Sequence, residues 1–110
     1  MTFTNTPTGS ETPTPTPNAA LYLDENFFNP NNQPLGMEAR VDTAGQVKIL
    51  VCNIAGEEVE KLVDQYLNAG NYRFSWDGHN SSGVVAGNDI YFVVIEQPSG
   101  VMVRKVIVLK

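Results

Sequence analysis

A single cysteine, Cys52, and a single histidine, His79, stand in 110 residues, and their scarcity removes most of the chemistry a small domain could carry. One thiol forms neither an intramolecular disulfide nor a cysteine-based metal site. Set inside an apolar run, it reads as a small buried hydrophobe. Basic residues are few as well: seven Lys and Arg against twelve Asp and Glu leave a net charge of -5. Such a surface repels phosphate backbones, so nucleic acid is not an expected partner. No apolar run approaches the roughly 20 residues of a bilayer-spanning helix. The opening Met1-Thr2-Phe3-Thr4-Asn5 lacks the basic and then apolar pattern of an export signal. The expectation is either a cytoplasmic chain or a piece of a longer exported protein, the second being favoured, and bacterial surface proteins can lack cystines.

Proline is present but clustered. The run Thr6 to Asn18 reads Thr-Pro-Thr-Gly-Ser-Glu-Thr-Pro-Thr-Pro-Thr-Pro-Asn. Each proline fixes φ and removes a donor, so neither helix nor ladder is expected there. Alternating Thr-Pro favours a semi-rigid polyproline spacer of about 3.1 Å per residue. Residues 1–18 are therefore read as a linker or tail, and 19–110 as the folded unit.

From Ala19 onward the apolar period is two. Short strands are expected over Leu21–Leu23, Leu35–Val41, Val47–Ile54, Asn71–Trp76, Ile90–Glu96 and Val101–Leu109. Val59–Leu67 is ambiguous, because Val59, Leu62, Val63 and Tyr66 also fit helical spacing. Its nine residues lie between glycine-containing turns, which favours strand plus bend. Asp24 to Pro34 reads as an Asn- and Pro-rich loop. About seven strands with a turn signal every 8 to 12 residues predict an all-β, immunoglobulin-like sandwich. Trp76, Phe74, Tyr72, Phe92, Ile49, Val51 and Ile107 are the expected core.

The run Val47-Lys48-Ile49-Leu50-Val51-Cys52-Asn53-Ile54-Ala55-Gly56-Glu57-Glu58-Val59 resembles the strand-turn-strand of flagellar hook-capping-type immunoglobulin-like domains. Leu62-Val63-Asp64, Ala69-Gly70, Phe74-Ser75-Trp76-Asp77-Gly78, Gly83, Ile90-Tyr91-Phe92 and Arg104 to Lys110 continue the pattern in order, and Asn29-Pro30 fits its opening. The same pattern is shared by the C-terminal sorting domains of the type IX secretion system. In that second family a Tyr-Pro-Asn-Pro opening is common, where this chain has Phe27-Phe28-Asn29-Pro30, and Cys52 stands at a usual tyrosine. The resemblance implies a sandwich without catalytic activity.

Asp77, Asn80 and Ser81 could offer oxygens to Ca²⁺, as could Asp24, Glu25, Asn26, Asn29, Asn31 and Asn32. A calcium loop normally carries three or more carboxylates, so the favoured reading is structural turns, with Asp77, Gly78, Asn80 and Gly83 shaping the first. No cofactor and no metal is expected, with Ca²⁺ the alternative. His79 is expected to be exposed and idle, since Ser81 and Ser82 are too local for a triad. Glu57, Glu58 and Glu60 bracket one turn and read as a solvated rim, not as the paired acids of a glycosidase.

The apolar faces point elsewhere. Leu50, Cys52 and Ile54 oppose Val47, Ile49 and Val51, and Val94 opposes Val93, so these strands are apolar on both sides. An interaction surface is expected there, unless the Asp24–Pro34 loop covers it. The closing strand, with Arg104, Lys105 and Lys110, is a second candidate, because an edge strand can pair with a partner. The expected function is a non-catalytic accessory domain of an exported bacterial protein, serving surface sorting, anchoring or assembly. Its partners would be an upstream domain, secretion or surface machinery, or a second copy, and its place extracellular or at the cell surface. The alternative is a carbohydrate- or protein-binding module; a sugar binder would expose two or more of Tyr22, Tyr66, Tyr72 and Tyr91 on one face.

Overall fold

Alternating apolar residues and glycine-punctuated turns build two facing sheets in the computed structural model, which describes residues 20–110. The expected linker over 1–18 lies outside the described residues. Eight strands follow in order: β1 Leu21–Leu23, β2 Phe27–Phe28, β3 Leu35–Val41, β4 Gly45–Cys52, β5 Glu58–Leu67, β6 Gly70–Trp76, β7 Asp89–Gln97 and β8 Gly100–Val108. One sheet has the order β1-β3-β6 and the other β2-β8-β7-β4-β5. No helix is present among the described residues. The expected all-β sandwich is therefore found, with one strand more than the alternation predicts.

That extra strand is β2. It lies inside the expected loop and runs parallel to β8, with Phe27 opposite Ile107 and Phe28 opposite Val108. Two residues carry no readable period, so only the tertiary pairing reveals it. Phe28 turns inward against Trp76, with ring centroids 5.5 Å apart, while Phe27 stays 56 % exposed.

The core is the inner row of each sheet. Leu35, Met37, Ala39, Val41 and Trp76 come from one side, and Val47, Ile49, Val51, Val93, Ile95, Val106 and Val108 from the other. Burying a large aliphatic side chain contributes about 1.5–3 kcal/mol, so this layer dominates stability. Trp76 sits at one end of this layer, opposite Leu35 and between Phe28 and Tyr91, and its indole N–H donates to the His79 carbonyl at 2.9 Å. Tyr72 and Phe74 also face inward but are only half-buried. Phe92 and Ile107, expected in the core, lie on the outer face instead. Phe92 pairs with Cys52 and Lys105, and Ile107 with Ile90 and Phe27, all on the side away from the second sheet. Both faces of β7 are apolar, so alternation alone cannot tell which side is inner.

β5 resolves the ambiguous segment. It pairs with β4 along its length, but the register slips between Ile49 and Leu50 and again between Val51 and Cys52. Two bulges leave Leu62 and Val59 as extra residues. Each resets the period of two, and the resulting apolar spacing of three and four imitates a helix.

Candidate functional site

The β4–β5 turn and the loop after β6 are built by one device used twice. Asn53 Oδ1 accepts the amides of Ala55 and Glu57, both at 3.0 Å, while Gly56 takes φ 83°. Asn80 Oδ1 accepts the amides of Ser82 and Val84, both at 2.9 Å, while Gly83 takes φ 83°. In each case the asparagine carbonyl also accepts the glycine amide. The short Asn side chain stands in for a backbone acceptor and pins the turn. Asp77 Oδ1 accepts the His79 amide at 2.9 Å, and Gly78 is buried where a Cβ would meet Pro30.

These bonds turn the oxygen-rich loops inward. Asn29 Oδ1 accepts the Asn31 amide, and Asp24 makes a two-pronged ion pair with Arg73, at 3.1 and 2.6 Å. The Arg73 guanidinium holds the Asp24 carboxyl below its ordinary range through hydrogen bonding. Among the described residues no three His, Cys, Asp or Glu side chains gather into a metal-holding group. The oxygens considered for Ca²⁺ thus include several already accepting hydrogen bonds from their own loops.

A groove of about 620 Å³ opens between the two asparagine turns. Glu57, Glu58, Asn80, Ser81, Asp89 and Tyr91 are among its lining. The Ser81 hydroxyl lies 3.2 Å from both the Val59 carbonyl and a Glu60 carboxylate oxygen, not near an imidazole. His79 is half-buried instead of exposed, and its ring Nδ1 faces the Asp77 carbonyl at 3.2 Å. Its main-chain carbonyl is what the fold uses, as the acceptor for Trp76. The groove therefore brings together acids and amides without joining a base to a nucleophile.

The four tyrosines separate. Tyr91 is buried, and its hydroxyl donates to the Gly87 carbonyl at 2.9 Å; burial pushes its pKa up. Tyr72 faces inward and donates to the Asn68 carbonyl at 2.6 Å. Tyr22, 44 % exposed, stands opposite Glu38 on the outside of the three-stranded sheet. Tyr66, 64 % exposed, stands opposite Gln46 on the outside of the other. No two exposed members share a face.

The outer face of the five-stranded sheet is different. Leu50, Val94 and Val103 are in register across β4, β7 and β8, forming one apolar row. Cys52, Phe92 and Lys105 make the next row, and Ile90, Ile107 and Phe27 the one beyond. Leu50, Cys52 and Val94 are half-buried by their neighbours within the sheet. The Cys52 thiol is pushed up in pKa by burial and by Glu58 and Glu96, so it is not a reactive thiolate. The Asp24–Pro34 loop does not lie over these rows, because its Phe27–Phe28 segment extends the sheet sideways. Ile54 stands apart, exposed in the β4–β5 turn. Arg104 points the other way, and its Nε donates to the Leu21 carbonyl at 3.0 Å, tying β8 to β1. Lys105 remains exposed on the outer face, and the Lys110 amide donates to Asn88. The missed participants are Phe27, Phe92, Val103 and Ile107. Their signal was the second apolar face of β7 and β8.

A family model described as the FlgD Ig-like domain matches residues 31–101. This chain belongs to the FlgD Ig-like domain family. A solved structure, FlgD from P. aeruginosa, matches with a TM-score of 0.55 at 16 % identity, covering 79 % of this chain and 67 % of that one. At that identity the likeness speaks for the fold alone. No curated protein matches the chain. The FlgD Ig-like assignment agrees with the hook-capping resemblance carried by Val47–Val59 and the Trp76-Asp77-Gly78 block.

Proposed function

We propose that this FlgD-type Ig-like domain is a non-catalytic accessory module of an exported bacterial protein, used for surface sorting, anchoring or assembly. The observation that carries the reading is the apolar outer face of the five-stranded sheet, centred on the row Leu50, Val94 and Val103. A sheet face turned to water ordinarily alternates to polar residues, and contiguous apolar patches mark places where proteins meet. Lys105, Lys48 and Glu96 stand around the row and would orient a protein partner. The groove between the asparagine turns has no base–nucleophile pair, which favours a binding role over an enzymatic one. Tyr22 and Tyr66 lie on opposite sheets, which disfavours a flat sugar platform. The sorting reading also draws on the closing Arg104-to-Lys110 segment that resembles type IX sorting domains.

The test is a fusion of the full chain to the C-terminus of an exported reporter, in a bacterium with a type IX system. The expected result is reporter at the cell surface, with Leu50→Glu or Val94→Glu abolishing retention. A reporter left in the periplasm, or variants that are retained as well as the wild type, would overturn the reading.

A further inference from the structure

We propose that two copies of this chain pair edge to edge through β8, antiparallel, about a two-fold axis at Val103. The direction of the β8 backbone decides which of its polar groups are free. The amides of Ile107 and Leu109 point outward from the sheet, donating to the carbonyls of Asn26 and Phe28. In an antiparallel pair successive residues alternate between facing their partner strand and facing away. Val101, Val103 and Lys105 therefore turn N–H and C=O outward as well. There β2 no longer reaches, since it pairs with β8 only at Ile107 and Val108. Among the described residues the stretch Gly100–Lys105 is an open edge, and beyond it Asn26 lies alongside with its carbonyl on the Ile107 amide.

The two edges of this sheet are treated differently. β5 carries two bulges and presents Glu58, Lys61 and Asp64, devices that discourage pairing. β8 keeps an unbroken register with β7 from Gly100 to Val108 and contains no proline; of its two charges, Arg104 is held inward on the Leu21 carbonyl, and Lys105 is the one the pairing sets in line with Glu96. Val101 and Val103 are 67 % and 49 % exposed on it.

The open stretch is self-complementary. With Val103 on the axis, Val103 meets its counterpart and Val101 meets Lys105. Every outward-facing residue then opposes another outward-facing one, which gives about six main-chain hydrogen bonds. The apolar row Leu50, Val94, Val103 runs on into the same row of the second copy. Charge follows the same register. Lys105 comes into line with the counterpart's Val101 and, beyond it, with the succession Glu96, Lys48, Asp64, so the signs alternate along the row. An interface of this size belongs to the weak, concentration-dependent class.

This inference deepens the proposed function by naming self as a partner, and the two can fail separately. Sedimentation equilibrium of the full chain from about 10 µM to about 1 mM is the direct test. The wild type should show its mass doubling across that range. Val103→Asp and Val103→Lys each place like charges on the axis and should stay monomeric, whereas their equimolar mixture should double again. Amide exchange on the wild type needs no variant: Val101, Val103 and Lys105 should gain protection as concentration rises. A wild type that stays monomeric, a charged variant that still doubles, or a mixture that does not, overturns the pairing. A dimer that fails to be retained on the cell surface sinks the sorting reading alone.

Discussion

Trp76 shows how much one side chain decides. It is fully buried, touches Phe28 and Tyr91, and uses its N–H on the His79 carbonyl. Trp76→Ala should lower stability by about 3–5 kcal/mol in urea unfolding, because a large cavity opens between the sheets. Asp24 is the opposite case, an exposed residue whose effect is set by pH. Its folded pKa is depressed below the ordinary 3.8 by Arg73. A depressed carboxyl contributes stability above its unfolded pKa and loses it as pH falls through the folded value. Asp24→Asn should therefore be less stable than the wild type at neutral pH, and the gap should close as both are titrated toward about pH 2. Unfolding curves across that range would settle it; a gap that persists in acid would refute the carboxylate's part.

At the scale of elements, the asparagine turn is legible in the sequence at Asn80 alone, while Asn53, expected inside a strand, is found to build the same turn because β4 ends at Cys52. Asn53 and Gly56, like Asn80 and Gly83, stand three apart between apolar runs, the spacing at which a side-chain carbonyl can serve two amides. Asn53→Ala and Asn80→Ala should each cost about 1–2 kcal/mol, measured by chemical unfolding. β5 is the element where reading by period fails in an instructive way. Val59, Leu62 and Val63 hold helical spacing only because bulges at Leu62 and Val59 interrupt the ladder. A bulge is invisible along one strand, since it exists only relative to its partner. β2 escapes for the same reason: Phe27 and Phe28 form a strand because Ile107 and Val108 offer an edge.

Across the whole molecule, the question is which apolar face is core and which is surface. Val47, Ile49 and Val51 are sealed by the second sheet, while Leu50, Val94 and Val103 look outward. Leu50→Glu and Val94→Glu should therefore keep the native circular dichroism spectrum and a cooperative melt, with loss confined to association. Ile49→Glu, by contrast, buries a charge between the sheets and should abolish folding. If Leu50→Glu also unfolds the isolated chain, the outer rows are core to something within the domain.

Taken alone, the sequence determined the class of fold, because alternation, turn asparagines and glycines, and the absence of a sustained helical period leave two facing sheets as the way to bury that much Val, Ile and Leu. It also determined the scarcity of catalytic side chains. Only the tertiary structure decided the face on which Phe92 and Ile107 lie, the direction of Arg104, and the open edge at Val101, Val103 and Lys105. These depend on which strands become neighbours, and a strand's own residues do not encode its neighbours' register.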